Sequence, residues 1–264
     1  MLGIIVCGFT IQAQHIYIKV GGNYALQMPS ASGMQRVTEA TATTSSIESV
    51  NYKLSNGISP QITFGYFLNK YALFEIATGY HFGAKQTVEN QIFSVTGNYM
   101  QTNEMSLNYG FINPTFVVNP GYEKWNPYIG LGAYIGYSNV MTEKITNENS
   151  QYLRKYATSG GSQFGFSGKL GMNYKINRNW ALFSEITYTN ASWTPERRHL
   201  NAATDNDGKD VYETIKPYYM LTEYKENYKH NSLGMIDVSK SQKRLKSSLP
   251  LDFISIGIGI LVSF

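Results

Sequence analysis

Four histidines, one cysteine and 18 carboxylates are the groups from which this chain could build acid–base, nucleophilic or metal chemistry. The histidines are His15, His81, His199 and His230. Of these, His81 stands near the end of an alternating segment and could pair with a neighbouring strand serine or with Glu75, but spacing alone selects no nucleophile. The reading is therefore a polar residue at a rim, with no catalytic residue and no enzymatic activity assigned. Asp205-Asn-Asp-Gly-Lys-Asp210 offers oxygen ligands beside a glycine, yet the position that would close a calcium loop is not filled. It reads as a solvated turn, so no metal and no cofactor is expected. Cys7 falls in a segment expected to be removed, which leaves the mature chain without thiol chemistry.

A second set of polar residues is distributed differently. Lys19, Gln61, Glu75, Glu104, Asn108, Lys169 and Glu185 each alternate with apolar neighbours, so they are expected to share the inner side of a curved sheet. Charges placed there either pair with one another and hold the structure closed, or line a plug or gated ion path. The paired network is the expected arrangement. Lys240, Lys243, Arg244 and Lys246 form a basic cluster just before the last strand and are candidates for lipid-headgroup contacts, a role that loop solubility explains equally well. Tyr212, Tyr218, Tyr219, Tyr224 and Tyr228 offer a partner-binding or loop-packing surface.

The elements that would position these groups are strands. The clearest is the last, Pro250 to Phe264, in which Ile254, Ile256, Ile258, Ile260, Val262 and Phe264 form one apolar face. Ser255, Gly257, Gly259 and Ser263 form the other, interrupted by Leu261. One face suits lipid and the other a crowded interior. Six further segments alternate in the same way: about His15–Leu26, Ile58–Leu68, Tyr71–Phe82, Trp125–Tyr137, Ser162–Ile176 and Trp180–Asn190. In an eighth, about Thr102–Val118, Met105, Leu107, Tyr109 and Phe111 are expected to face lipid, with Glu104, Ser106, Asn108 and Gly110 inside. The connections after the second, fourth and sixth segments are short. Those after the first, third, fifth and seventh are long, the longest being 191–249. Such alternation describes a chain crossing a layer eight times, with tight turns on one side and elaborated loops on the other.

The fold class expected is all-β, an eight-stranded antiparallel transmembrane β-barrel. A soluble ligand-binding barrel would reverse the faces, with apolar residues inside. Glycines at 130, 132, 136, 165, 171, 257 and 259 are expected to make room for long inward neighbours such as Tyr128, Tyr134 and Lys169. Eight strands leave an interior that side chains fill, so no wide solute channel is expected. No uninterrupted apolar run of roughly eighteen residues occurs, which argues against helical spans. The first residues, 1–13, read as a signal peptide that lacks the usual basic start, and 14–264 as the barrel domain. The formal charge of +4 and the exported character give no support to nucleic-acid binding.

Three passages carry a family resemblance: the terminal Phe264, the segment Asn126-Pro-Tyr-Ile-Gly-Leu-Gly-Ala-Tyr-Ile-Gly136, and the turn-to-strand run Asn177-Arg-Asn-Trp-Ala-Leu-Phe-Ser-Glu185. Across almost the whole mature chain the sequence resembles small outer-membrane barrels related to the OmpA barrel domain, particularly those of Bacteroidetes. The resemblance implies a Gram-negative outer membrane and insertion by the barrel-assembly machinery, with Phe264 as the assembly signal. It implies non-enzymatic roles in envelope support, adhesion or larger complexes, with outer-membrane lipids and an envelope or extracellular protein as partners. A peptidoglycan-binding domain is not expected. A narrow pore or a lipid-modifying enzyme is the alternative.

Overall fold

The computed structural model describes residues 16–28, 34–40, 45–50, 53–92, 99–122, 124–147, 153–205, 207–214, 221–225 and 242–264. Eight strands form the wall: β1 (Ile16–Gln27), β2 (Gly57–Phe67), β3 (Ala72–Gly83), β4 (Tyr99–Val118), β5 (Trp125–Asn147), β6 (Gln163–Lys175), β7 (Trp180–Trp193) and β8 (Phe253–Ser263). Each pairs antiparallel with its predecessor, and β8 returns to β1 in a register running from Tyr17 opposite Ser263 to Gln27 opposite Phe253. The sheet is closed, so the wall has no edge whose peptide groups would be stranded in hydrocarbon. The proposed leader, 1–13, lies outside the described residues.

Residue chemistry explains the closure. Along β7 every other residue is buried, from Ala181 to Trp193, while Leu182, Ile186 and Tyr188 project outward. Phe166, Leu131 and Ile258 are 76%, 72% and 68% exposed, a waste of apolar area in water but the expected outer surface of a lipid-embedded wall. Tyr66, Tyr71, Trp125, Tyr174 and Trp180 gather at the short-turn end, and Tyr24, Tyr80, Tyr137 and Tyr188 at the other, as interfacial rings do. Among the described residues no helix is long and apolar enough to cross a membrane; the crossing is made by strands.

The three tight turns are each set by an asparagine. The Asn69 side-chain oxygen accepts from the amides of Tyr71 and Ala72 at 2.8 and 2.9 Å. Asn177 does the same for Asn179 and Trp180, both at 2.9 Å, and Asn119 for Gly121 at 2.9 Å, with Gly121 at φ 74°. These side chains mimic a backbone turn and fix the register of the strands they join.

At the opposite end the structure departs from the sequence reading. β4 and β5 run for 20 and 23 residues, about twice a membrane crossing, so 138–147 is strand and not polar excursion. Above the membrane they continue into a crown of seven strands among the described residues, flanked by Gln86–Ile92 on one side and by Leu153–Ser159, Arg197–Thr204, Leu221–Lys225 and Gln242–Leu245 on the other. The connection read as 191–249 likewise holds the end of β7 and three of these crown strands. The crown has its own small core, Tyr156, Leu200 and Ala203 with Ile145, Val211 and Tyr212 packed on it.

Candidate functional site

The barrel interior is arranged in tiers. Nearest the tight turns, Tyr17, Leu73, Val117, Tyr128, Ala181 and Leu261 pack together with Phe67. Glycines leave the space for the two tyrosines, since a Cβ at Gly65 would strike the Tyr17 ring and one at Gly171 the Tyr128 ring. Above them lies the polar tier. Glu75, 1% exposed, receives Lys19 at 2.6 Å and also binds Lys169 and the Tyr17 hydroxyl. Lys19 reaches the Tyr128 hydroxyl at 3.3 Å and lies 4.3 Å from that ring's centroid. Tyr128 donates to Glu185 at 3.0 Å, Gln61 donates to the other Glu185 oxygen at 3.1 Å, and Asn23 donates to Gln61 at 3.0 Å.

Both lysines thus share Glu75, and the Tyr128 hydroxyl links Lys19 to Glu185. Charges removed from water survive only when paired in this way, and withdrawing one partner costs about 3–5 kcal/mol. Asn113 extends the tier by accepting from Thr115 at 2.9 Å and from Ser167 at 3.0 Å. A cavity of about 30 Å³ remains among these groups, room for roughly one water. The third tier is apolar and aromatic: Leu107, Tyr109, Phe111, Tyr134, Trp193 and Phe253 fill the outer half. Phe111 stacks on Tyr134 at 5.6 Å and Tyr134 meets Phe253 edge-on at 5.9 Å.

Five of the seven residues expected inside, Lys19, Gln61, Glu75, Lys169 and Glu185, therefore meet in one network. Glu104 and Asn108 do not. They sit on the outward face of β4, Glu104 at 3.5 Å from Lys144 and Asn108 accepting from the Gly83 amide at 3.0 Å. Their apolar neighbours Met105, Leu107, Tyr109 and Phe111 point inward instead. The reason is the surroundings: this half of β4 stands above the lipid, where its outer face meets polar surroundings and its inner face fills the apolar tier. Tyr17, Tyr128 and Asn113 were not singled out for the network. Tyr128 is expected inside only as a long neighbour of the strand glycines, and only its inward phase marks Tyr17.

His81 is not a rim residue. It is 1% exposed, its Nδ1 is 2.9 Å from the Ser59 hydroxyl, and its ring stacks on Tyr109 at 4.7 Å. Glu75 lies six residues down the same strand, about 20 Å by strand rise, so no His81–Glu75 pair forms. Ser59 and His81 make a hydrogen-bonded pair, with no carboxylate among the described residues bonded to the imidazole. In the 205–210 loop, Asp205 accepts from the amides of Asp207 and Lys209 at 3.1 and 2.9 Å, and Asp210 from Tyr212 at 2.8 Å, so these carboxylates fold the turn. Among the described residues no group of three His, Cys, Asp or Glu side chains could hold a metal.

Of the basic cluster, Lys240 lies outside the described residues, as do the side chains of Lys243 and Arg244, while Lys246 is exposed and its amide donates to the Lys225 carbonyl at 3.0 Å. Tyr218, Tyr219 and Tyr228 are also outside the described residues, whereas Tyr212 and Tyr224 are half-buried in the crown. Phe264 is 62% exposed at the seam, its amide donating to the Ile16 carbonyl at 3.0 Å.

A closed eight-stranded antiparallel barrel with a lipid-facing belt, a filled lumen and tight turns at one end defines a class, the small barrels of bacterial outer membranes. The chain belongs to the outer membrane protein beta-barrel domain family, whose model matches residues 12–213. It resides in the outer membrane, with short periplasmic turns and long extracellular loops. No curated protein matches it. Similar solved structures include OprG of Pseudomonas aeruginosa, with 13% identity over 95% of this chain and 96% of that one at a TM-score of 0.42. Outer Membrane Protein W of E. coli shares 15% identity over 96% and 99%, at 0.40. Ail, the attachment invasion locus protein of Yersinia pestis, shares 8% over 96% and 100%, also at 0.40.

Proposed function

We propose that this protein is a non-enzymatic outer-membrane barrel whose wall is a scaffold and whose crown does the work, in a structural, adhesive or complex-forming role. The observation that supports this is the contrast between a lumen filled by three tiers of side chains and a sheet raised on β4 and β5 above the membrane. A filled lumen favours no solute path, whereas a sheet with its own core offers a rigid platform for an envelope or extracellular protein. The chain is of the OmpA-related kind found in Bacteroidetes, exported by a leader over 1–13 and inserted by the assembly machinery through Phe264. Outer-membrane lipids are the second partner, and nucleic acid is not one.

Replacing 197–249 by a short linker tests the reading. The shortened protein is expected to keep the heat-modifiable gel mobility of a folded barrel and to lose every protein that co-purifies with the intact chain from native membranes in mild detergent. Large, stable single-channel conductance of the intact protein in a planar bilayer would overturn the scaffold reading.

A further inference from the structure

The outward face of the crown carries a basic depression directly above the lipid belt, and nothing in the barrel's own architecture requires it. Its floor is Ser106 on β4 and Thr142 on β5, whose hydroxyls are 2.8 Å apart. Around this floor stand Lys85, Lys144, Lys155 and Glu104, enclosing about 440 Å³ that opens outward. Lys144 is 3.5 Å from Glu104. Lys85 and Lys155 are exposed and have no ion-pair partner among the described residues. Glu143 also lines the depression, and its charge is taken up by Arg198 rather than by these lysines. Three lysines against Glu104 and the Arg198-bound Glu143, over a pair of hydrogen-bonded hydroxyls, is the chemistry that receives a phosphate group.

The location chooses among phosphate carriers. Ser106 occupies the same face of β4 as the lipid-exposed Ile112 and Phe116, so the depression looks sideways over the bilayer and not up into the medium. Gly110 is level with Tyr80 and Tyr137 in the outer aromatic ring. Ser106 is four residues further out, about 13 Å along the strand and roughly 10 Å in height after the tilt of a barrel strand. That height is the outer margin of the headgroup layer, which lysine side chains reach by bending toward it.

We propose that Lys85, Lys144, Lys155, Ser106 and Thr142 form a binding site for the phosphate of an anionic glycolipid in the outer leaflet. The site rests on the outer-membrane orientation and is independent of any protein partner of the crown. The lipid phosphate displaces Glu104 from Lys144, and the crown is thereby fastened to the membrane surface through β4 and β5.

The test uses the full chain, folded and purified in mild detergent, with lysine-to-glutamine changes that keep most of the aliphatic stem. Lys85→Gln combined with Lys155→Gln is expected to weaken binding of lipopolysaccharide roughly tenfold to thirtyfold, an effect that shrinks with added salt. The parent and the double variant are expected to bind dephosphorylated lipopolysaccharide equally and weakly. Glu104→Gln, which releases Lys144, is expected to tighten binding of the phosphorylated lipid about threefold. Undiminished binding by the double variant, or an equal loss toward the dephosphorylated lipid, would overturn the site. Inorganic phosphate competing at micromolar concentration would overturn its assignment to a lipid. Heat-modifiable mobility of each variant shows that the barrel is intact.

Discussion

The lower and upper halves of β4 are continuous strand, yet they obey opposite rules. From Gly110 to Val118 the even-numbered residues Ile112, Phe116 and Val118 meet lipid while Asn113 and Thr115 face the polar tier. From Tyr99 to Asn108 the even face holds Glu104, Ser106 and Asn108, and the odd face holds Met105 and Leu107, which are buried. The backbone phase never changes; the media on its two sides do. A strand in hydrocarbon is apolar outside and polar within, and the same strand above the membrane is polar outside and apolar within, as in any soluble protein.

The sharpest way to break this comparison is to remove a charge from the polar tier. Glu75→Ala leaves Lys19 and Lys169 buried without their shared carboxylate, and about 3–5 kcal/mol of stability is expected to be lost in urea unfolding from lipid vesicles. The fourfold change Lys19→Met, Lys169→Met, Glu75→Leu and Glu185→Gln is expected to recover most of that loss, because no charge is then left unpaired. A second comparison places one arginine at two heights on the same face. Ile112→Arg is expected to cost about 2–4 kcal/mol and Asn108→Arg no more than about 1 kcal/mol. Equal costs in the same unfolding experiment would refute the assignment of a lipid-facing and a headgroup-facing half.

Smaller effects separate crown from barrel. Glu143→Ala removes the partner of Arg198, which also lies 4.0 Å from the Tyr156 ring, and is expected to loosen the crown by about 1–3 kcal/mol. Limited proteolysis should then cut within 197–249 faster while heat-modifiable mobility stays unchanged; a falling barrel melting point would show that the two regions are one cooperative unit. Smallest in the folded state is Phe264→Ala. The ring is 62% exposed, so unfolding in detergent should shift by less than about 0.5 kcal/mol, whereas the amount assembled in cells should fall several-fold. Normal assembly would remove the signal role from this residue.

The parts of the fold legible in the sequence are those where one medium acts along the whole segment. β7 and β8 lie between lipid and interior for most of their length, so a single period-two pattern describes each of them. The asparagines at 69, 119 and 177 announce tight turns because their side chains need only local amides. The network was legible where a charge stood in an apolar strand, as Lys19, Glu75, Lys169 and Glu185 do. It was illegible at Asn113, Tyr17 and Tyr128, whose polar atoms acquire their role only from residues on other strands. The extension of β5 past Tyr137 was hidden by a bulge: Ser138 takes φ 52° and the register slips between Asn108 and Gly110, which interrupts the alternation a reader would follow.

The sequence by itself determined that the chain crosses a membrane as eight strands, which side of most strands meets lipid, and where the tight turns fall. Those are consequences of side-chain period and local turn chemistry, and they need no partner to be read. The tertiary structure alone decided that β4 and β5 continue into a crown, that the outer lumen is an aromatic core, and that three lysines converge over Ser106 and Thr142. Each of these depends on which distant strand lies alongside and on the height of each residue above the bilayer, and neither quantity is written in the spacing of residues along one strand.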